Sequence, residues 1–162
     1  MTQTVGVLPP QILLDALLAE SSARHKHLCP RQVLGVRMGL FGLRLLGLMD
    51  AGYTQRFCNE QKHLLTIVET DGCGADGVSV ATDSYVGRRT LRVLDFGKMA
   101  VTLVDTRGYR GQAGRRQPLR GVRIAPRPEV RDLAQVCVPD APSRWHAYLA
   151  AYQRLPDADL LQ

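Results

Sequence analysis

The sequence predicts an α+β fold, and three observations lead to it. Apolar residues recur at helical spacing in the first third of the chain, short β-branched runs follow, and the C-terminal tail is helical again. The expected order is helix, helix, strand, helix, three strands and two helices, so strands and helices are segregated along the chain. With 162 residues and no internal repeat, we expect a core over residues 1–127 and a C-terminal helical extension, packed on that core, over residues 128–162.

Two helices are expected before the first strand. The first opens at Pro9 and Pro10 and ends near residues 21–22. Its expected core positions are Ile12, Leu13, Ala16 and Leu17. The second runs from Pro30 to Leu48, and its expected core row is Val33, Val36, Leu40, Leu43 and Leu46.

The second helix also contains four glycines, at positions 35, 39, 42 and 47. Each glycine costs up to about 1 kcal/mol relative to alanine inside a helix. So many glycines indicate that another backbone approaches closely. A second copy of the same helix, in a homodimer, would supply that backbone.

Four strands are expected in the central part of the chain. Their expected ranges are 63–70, 89–94, 99–106 and 118–125. A glycine-rich turn after the first strand leads into a short helix. The last three strands are expected to form an antiparallel set, with Lys98 at the base of the hairpin between its first two members.

Composition limits the classes of partner. The formal net charge is +6, and much of the excess lies between Arg107 and Arg131. A basic, glycine-rich tip at residues 107–116 can bind phosphate or nucleic acid, or it can be a solvated hairpin loop. Aromatic residues make up 6% of the chain, so there is no stacking platform for single strands. Nucleic acid is therefore not an expected partner.

The same composition bears on location. No apolar stretch reaches the roughly 18 residues of a membrane span, and the N-terminal residues lack the basic and apolar regions of a signal peptide. The four cysteines include no C-x-x-C pair, so they are interpreted as reduced thiols. We expect a cytoplasmic protein without a membrane partner.

The most informative segment reads H-K-H-L-C-P, from His25 to Pro30. In an extended conformation, His25, His27 and Cys29 would point to one side. Cys29 would stand beside a helix N-terminus, where the helix dipole favours a thiolate. Thiolate and neutral imidazole suit a borderline-soft metal such as zinc, and they equally suit nucleophilic catalysis.

A second cluster, D-G-C-G-A-D, covers residues 71–76. Cys73 again falls near a helix start, and Asp76 is a candidate ligand, proton acceptor or cap. If Cys73 faces Cys29, the metal ligands would be His25, His27, Cys29 and Cys73. A cysteine-dependent enzyme acting on a carbonyl or one-carbon substrate would instead use Cys29, Cys73 and Asp76 as catalytic groups. A third interpretation is haem, with His27 or Cys29 as axial ligand and the glycine-rich helix beside it.

Three motifs carry a resemblance to a known family. H-K-H-L-C-P-R-Q-V-L-G-V-R-M-G, E-T-D-G-C-G-A-D-G-V and V-G-R-R-T-L-R-V-x-D-F-G-K together resemble the FmdE family of formylmethanofuran dehydrogenase operons, from about His25 to Asp105. The resemblance implies an α-β-α-β-β-β core with a mixed sheet, similar to the catalytic-domain fold of glyceraldehyde-3-phosphate dehydrogenase. It also implies a homodimer and metal binding. Since the family is named for an operon with a molybdenum or tungsten enzyme, one hypothesis is an accessory factor for a metalloenzyme.

The family pattern H-x-H-x-C-P-G corresponds to residues 25–31, with Arg31 where the family has glycine. The pattern D-x-C-x-x-D corresponds to residues 71–76. The family's G-C-T-x-G turn corresponds to residues 83–87, with Ser84 in place of cysteine. That exchange implies an open or oxygen-filled position in the site. Ser84 and Lys98 are the candidate cofactor contacts. We do not expect the C-terminal zinc ribbon of many members in this sequence, since no C-x-x-C follows Pro118.

Overall fold

A computed structural model describes residues 7–109 and 118–162, so the tip of the basic loop and the first six residues lie outside the described part. The helices are α1 (Gln11–His25), α2 (Pro30–Leu45), α3 (Cys73–Thr82), α4 (Val130–Cys137), α5 (Arg144–Ala151) and α6 (Asp157–Leu160). The strands are β1 (Leu64–Val68), β2 (Leu91–Val93), β3 (Val101–Asp105) and β4 (Arg120–Ile124). This order confirms the α+β prediction. Within the described residues, no helix has the length and apolar character needed to cross a bilayer.

The four strands form one mixed sheet in the order β2-β1-β3-β4. β1 is parallel to β2, with Thr66 opposite Leu91, and antiparallel to β3, with Thr66 opposite Leu103. The mixed sheet is confirmed, but the hairpin expected between β2 and β3 is wrong because β1 lies between them. The connecting turn crosses the end of β1, where the backbone N–H groups of Phe96 and Lys98 donate to the Glu69 carbonyl at 3.1 and 3.0 Å.

The first helix extends further and faces differently than expected. It ends at His25, not near residues 21–22. Its buried positions are Leu14, Leu17, Leu18 and Ser21. Ile12, expected in the core, is 82% exposed. The buried stripe of the helix begins two residues later, at Leu14. The longer helix makes His25 a helical residue. Lys26, with φ of 71°, then turns the chain in the left-handed region.

The second helix is the centre of the core. All five residues of its expected core row are buried, as predicted. Its glycines face elements of the same chain. A Cβ at Gly35 would collide with the Gly74 carbonyl oxygen of α3, and one at Gly39 would lie 2.8 Å from the Ala81 Cβ. The expectation that this face meets a second copy is therefore wrong, since α3 already covers it. The homodimer itself stays a prediction.

Charged groups buried inside the protein attach the C-terminal extension to the core. Arg37 of α2 is fully buried and donates to the carbonyl oxygens of Tyr152 and Leu155 at 2.8 and 2.7 Å, and to Asp157 at 2.8 Å. Tyr53 also donates to Asp157, at 2.9 Å. The C-terminal segment thus contacts α2 through an arginine that the sequence patterns did not single out. A domain boundary at residues 127–128 stays a prediction.

Candidate functional site

Two helix starts meet at the candidate site. Cys29 is the N-cap residue of α2 and Cys73 is the first residue of α3. The helices approach so closely because glycines lie at their contact, where a Cβ at Gly77 would collide with the Gln32 carbonyl oxygen. This packing places the thiol of Cys29 beside that of Cys73. Cys29 is buried and Cys73 is half-buried.

An imidazole connects one thiol to a carboxylate. The Nδ1 atom of His25 lies 2.7 Å from Asp76 Oδ2, and its Nε2 atom lies 3.1 Å from the Sγ atom of Cys73. Because a carboxylate only accepts hydrogen bonds, Nδ1 carries the ring proton in this arrangement. In this tautomer the Nε2 lone pair is directed at the thiol. Asp76 reaches the imidazole from one turn beyond Cys73 on the same helix.

The electrostatics of the site favour the protonated form of Cys73 in the metal-free protein. Burial raises the pKa of Cys73, and the hydrogen-bonded Cys29 thiol raises it further. The positive charge of Arg31 opposes this shift but does not cancel it. A helix start therefore does not by itself produce a thiolate at Cys73.

A buried glutamine links the start of α2 to α1 by hydrogen bonds. Gln32 is fully buried, and its Oε1 atom accepts from the Cys29 backbone N–H at 2.7 Å. Its Nε2 atom donates to the carbonyl and hydroxyl oxygens of Ser21, both at 3.2 Å. Gln32 thus ties the start of α2 to the last turns of α1, which carry His25. The signal was present in the sequence, since glutamine three residues after an N-cap is typical of a capping box.

The structure brings together four of the predicted site residues, which are His25, Cys29, Cys73 and Asp76. His27 is exposed, and its ring centroid lies 4.7 Å from that of His25. The extended segment expected to point His25, His27 and Cys29 to one side does not form. The reason is that α1 runs through His25 and the chain then reverses at Lys26.

Ser84 is far from the thiols. It lies just beyond the C-terminal end of α3, while Cys73 begins this ten-residue helix, and such a helix is about 15 Å long. The buried Ser84 hydroxyl contacts Thr66 Oγ1 at 3.0 Å, accepts from Asn59 at 3.3 Å and donates to the Thr82 carbonyl at 3.1 Å. These bonds indicate a structural role, so the structure does not support Ser84 as a cofactor contact or open metal position.

Lys98 is likewise separate from the thiol pair. It is exposed in the turn that crosses the end of β1, and its positive charge lies near Glu69. The carboxylate of Glu69 is bonded to Arg123 at 2.6 and 2.8 Å, which is the main reason that its pKa is lowered. The structure gives Lys98 no contact with Cys29 or Cys73.

Restoring cysteine at position 84 is expected to leave metal binding unchanged. A Ser84→Cys variant would place its thiol roughly a helix length from Cys73, too far to share an ion. Zinc per chain, measured by elemental analysis after loading and desalting, should equal that of the unsubstituted protein. A gain of bound zinc in the variant would contradict this placement.

A cleft of about 690 Å³ opens beside the thiols. Three arginines and three large aromatic side chains line it, and no aspartate or glutamate among the described residues does so. They are Arg31, Arg127, Arg131, Trp145, Tyr148 and Tyr152. Burial raises the pKa of Tyr152 to about 12, with the neighbouring Tyr148 adding to the shift and Arg131 opposing it. Sequence reasoning missed the arginines, because they come from two segments that lie far apart in the chain.

The site is not a ready-made metal centre. Over residues 7–109 and 118–162, no group of three His, Cys, Asp or Glu side chains is spaced to hold an ion as it stands. The site instead pairs two thiols with one oriented imidazole at the edge of a cleft. Fold and site together define the class: a small α+β domain with a thiol–imidazole–carboxylate cluster where two helices start.

Comparison with known proteins identifies the family of the chain. The family described as "FmdE, Molybdenum formylmethanofuran dehydrogenase operon" matches residues 24–162. The chain belongs to this family, which confirms the resemblance drawn from the three motifs. The match includes the C-terminal helices as well as the His/Cys segment.

Two individual proteins illustrate this similarity. A "Probable S-adenosyl-L-methionine-binding protein" of Archaeoglobus fulgidus is 36% identical over 102 residues, which cover 63% of this chain and 27% of that protein. The chain thus corresponds to about a quarter of that relative's length. The crystal structure of a tungsten formylmethanofuran dehydrogenase FmdE-like protein from Syntrophus aciditrophicus superposes with a TM-score of 0.63 at 18% identity, covering 96% of this chain and 74% of that one. This similarity supports the fold.

Proposed function

We propose that this protein binds one divalent transition ion, zinc in the simplest case, through Cys29, Cys73 and His25, and that it serves a metalloenzyme as an accessory factor. The observation that carries the proposal is a pair of adjacent thiols, one of which contacts an imidazole whose other nitrogen contacts a carboxylate. The operon named in the family description supports the accessory role.

The donor set fits a borderline-soft ion. Two sulfurs and one imidazole nitrogen are common zinc ligands. Asp76 orients His25 as the carboxylate does in carboxylate–histidine–zinc arrangements. Zinc–sulfur and zinc–nitrogen distances of about 2.3 and 2.0 Å place tetrahedral S and N ligands roughly 3.5 Å apart. The observed separation of Cys73 Sγ and His25 Nε2 is 3.1 Å, so a small opening of this pair accommodates the ion.

Ion binding would also change the protonation of the site. The Cys73 thiol, whose pKa burial raises, must lose its proton to become a ligand, so binding is expected to release protons. Three protein ligands leave one position for water or for a ligand in the cleft. Such an open site suits transfer or catalysis better than a closed structural role.

Removal of both site thiols is expected to abolish metal binding. In a Cys29→Ser, Cys73→Ser double variant, zinc per chain should fall at least tenfold after loading and desalting, because a hydroxyl is a much poorer zinc ligand than a thiolate. The matched control is Cys58→Ser, Cys137→Ser, which removes the two exposed thiols and should keep the full zinc content. Equal zinc in both double variants would refute the site assignment.

The carboxylate can be tested separately. An Asp76→Asn variant removes the charge that contacts His25 and is expected to weaken zinc binding by about 10- to 100-fold. Asp71→Asn, in the same motif but exposed, serves as the control and should bind zinc normally. Competition with a chromophoric chelator measures both affinities. If Asp71→Asn weakened binding as much as Asp76→Asn, the effect would be one of general charge.

A second candidate function is cysteine-dependent catalysis. The order of thiol, imidazole and carboxylate in Cys73, His25 and Asp76 favours it, because a nucleophilic thiol needs a base that a third group orients. The raised pKa of Cys73 argues against it, since the reactive species is the thiolate. In metal-free protein we expect iodoacetamide to alkylate Cys73 more slowly than the exposed Cys58. Faster alkylation of Cys73 would favour cysteine-dependent catalysis over the proposed metal-binding function.

The haem interpretation stays a prediction with less support. It needed the glycine-rich face of α2 to line the ligand, and that face packs against α3 and the sheet. Absorption spectra of the purified protein test it, because bound haem gives an intense band near ~400 nm set by its iron–ligand chemistry.

A further inference from the structure

The cleft beside the thiols is electropositive. Arg31, Arg127 and Arg131 line it, and no described carboxylate does. Arg127 is already engaged, since its Nε atom donates to the Ala158 carbonyl at 2.6 Å and its Nη1 atom lies 3.6 Å from Glu129. Arg31 and Arg131 form no ion pair with any carboxylate of residues 7–109 and 118–162. Two guanidinium groups are therefore available to an anion from solution.

One wall of the same cleft is aromatic. The rings of Tyr148 and Tyr152 stack with centroids 5.7 Å apart and planes 3° from parallel. The two residues lie one helical turn apart. Trp145 stands one turn earlier on α5 and is 44% exposed. Met99 and Leu34 add apolar surface. A flat ring entering the cleft would find stacking partners as well as positive charge.

We propose that this cleft binds a small organic anion with a flat ring, its phosphate or carboxylate at Arg31 and Arg131 and its ring against Trp145 and Tyr148. The inference deepens the proposed function, because it names the class of ligand that would reach the open metal position, yet binding in the cleft does not require the ion. Guanidinium groups bind phosphate and carboxylate through paired, planar hydrogen bonds.

The dimensions agree with this class. A volume of about 690 Å³ lies within the ~300–1,000 Å³ typical of small-molecule sites. Inorganic phosphate would leave most of this space empty and the aromatic wall unused. A neutral ring compound would leave both arginines without a partner. A nucleoside monophosphate has the ring, the anion and the size that the lining residues together require.

The chain contains its own reporter for the test. Trp145 is its single tryptophan, so its fluorescence reports on this cleft alone. In a titration of the zinc-free protein, adenosine 5′-monophosphate should change the fluorescence saturably. Adenosine, which lacks the anion, and ribose 5-phosphate, which lacks the ring, should each bind at least tenfold more weakly. If AMP bound no tighter than either of them, the proposal would be overturned.

Charge variants locate the anion. Arg131→Gln is expected to weaken AMP binding about tenfold or more, because it removes a charge-assisted hydrogen-bond donor. Arg92→Gln makes the same change at an exposed position on β2, outside the cleft, and should bind AMP as the unsubstituted protein does. Equal losses in the two variants would show nonspecific charge attraction and refute the assignment.

The failure of this proposal can be told apart from failure of the metal site. Arg131→Gln should retain its full zinc content, and the Cys29→Ser, Cys73→Ser variant should retain AMP affinity within about threefold. Loss of AMP discrimination with normal zinc binding would remove the ligand class and leave the metal site. Normal AMP binding in a protein whose zinc content does not depend on the two cysteines would remove the metal site and leave the ligand class.

Discussion

Replacing Asp157 by asparagine is expected to lower the free energy of unfolding by about 3–5 kcal/mol, the cost of leaving buried charges without a counterion. Asp157 is 1% exposed and lies 2.8 Å from Arg37 and 3.4 Å from Arg44. Within the described residues, Arg37 Nε and both terminal nitrogens of Arg44 are buried without a hydrogen-bond acceptor. The one carboxylate therefore compensates two buried guanidinium groups.

Urea unfolding measures this effect. The control is Asp159→Asn, a carboxylate on the same helix that forms no ion pair within the described residues, and it should change stability by no more than about 0.5 kcal/mol. The Asp157→Asn variant should also lose order in the C-terminal helices first, because Arg37 attaches their carbonyl groups to α2. Equal stability of the two variants would show that the buried cluster is not what holds the extension.

The second large effect is expected at the contact of α2 with α3. A Gly35→Ala variant places its Cβ against the Gly74 carbonyl oxygen and 2.9 Å from the Val78 nitrogen. Both are backbone atoms of a helix and cannot rotate away, so the helices must separate. We expect a loss of about 3 kcal/mol or more in the free energy of unfolding, at the upper end of the cost of overpacking.

A glycine outside the helix contact serves as the control for Gly35→Ala. Gly87 has open space where a Cβ would lie, and Gly87→Ala should be neutral within about 0.5 kcal/mol. Because the same contact holds Cys29 beside Cys73, Gly35→Ala should also bind zinc more weakly than Gly87→Ala when both are folded. Unchanged stability in Gly35→Ala would mean that the helices tolerate a wider separation than their packing indicates.

The site shows how far sequence reasoning reaches. The helix start at Pro30 and the turn at Asp71–Asp76 are local features, and they predict both Cys29 and Cys73 at helix N-termini, as the structure confirms. The extended segment expected from His25 to Cys29 does not form, because α1 runs through His25 and one left-handed residue, Lys26, follows it. Periodicity does not contain that information, since a lysine in the left-handed region is decided by the packing on either side of it.

What the sequence determined by itself is the local part: the α+β class, the core row of α2, and the motifs that identify the family. These depend on patterns within a few residues, which side-chain periodicity and helix capping translate directly into structure. The contacts between distant segments became known only from the packing of the folded chain. This packing placed β1 between β2 and β3 and set the glycines of α2 against α3 and the sheet. It also assembled a cleft from Arg31 and the distant Arg127 and Arg131. Such pairings depend on which buried surfaces fit together, and residues distant in sequence contribute to them equally, so no local pattern could reveal them.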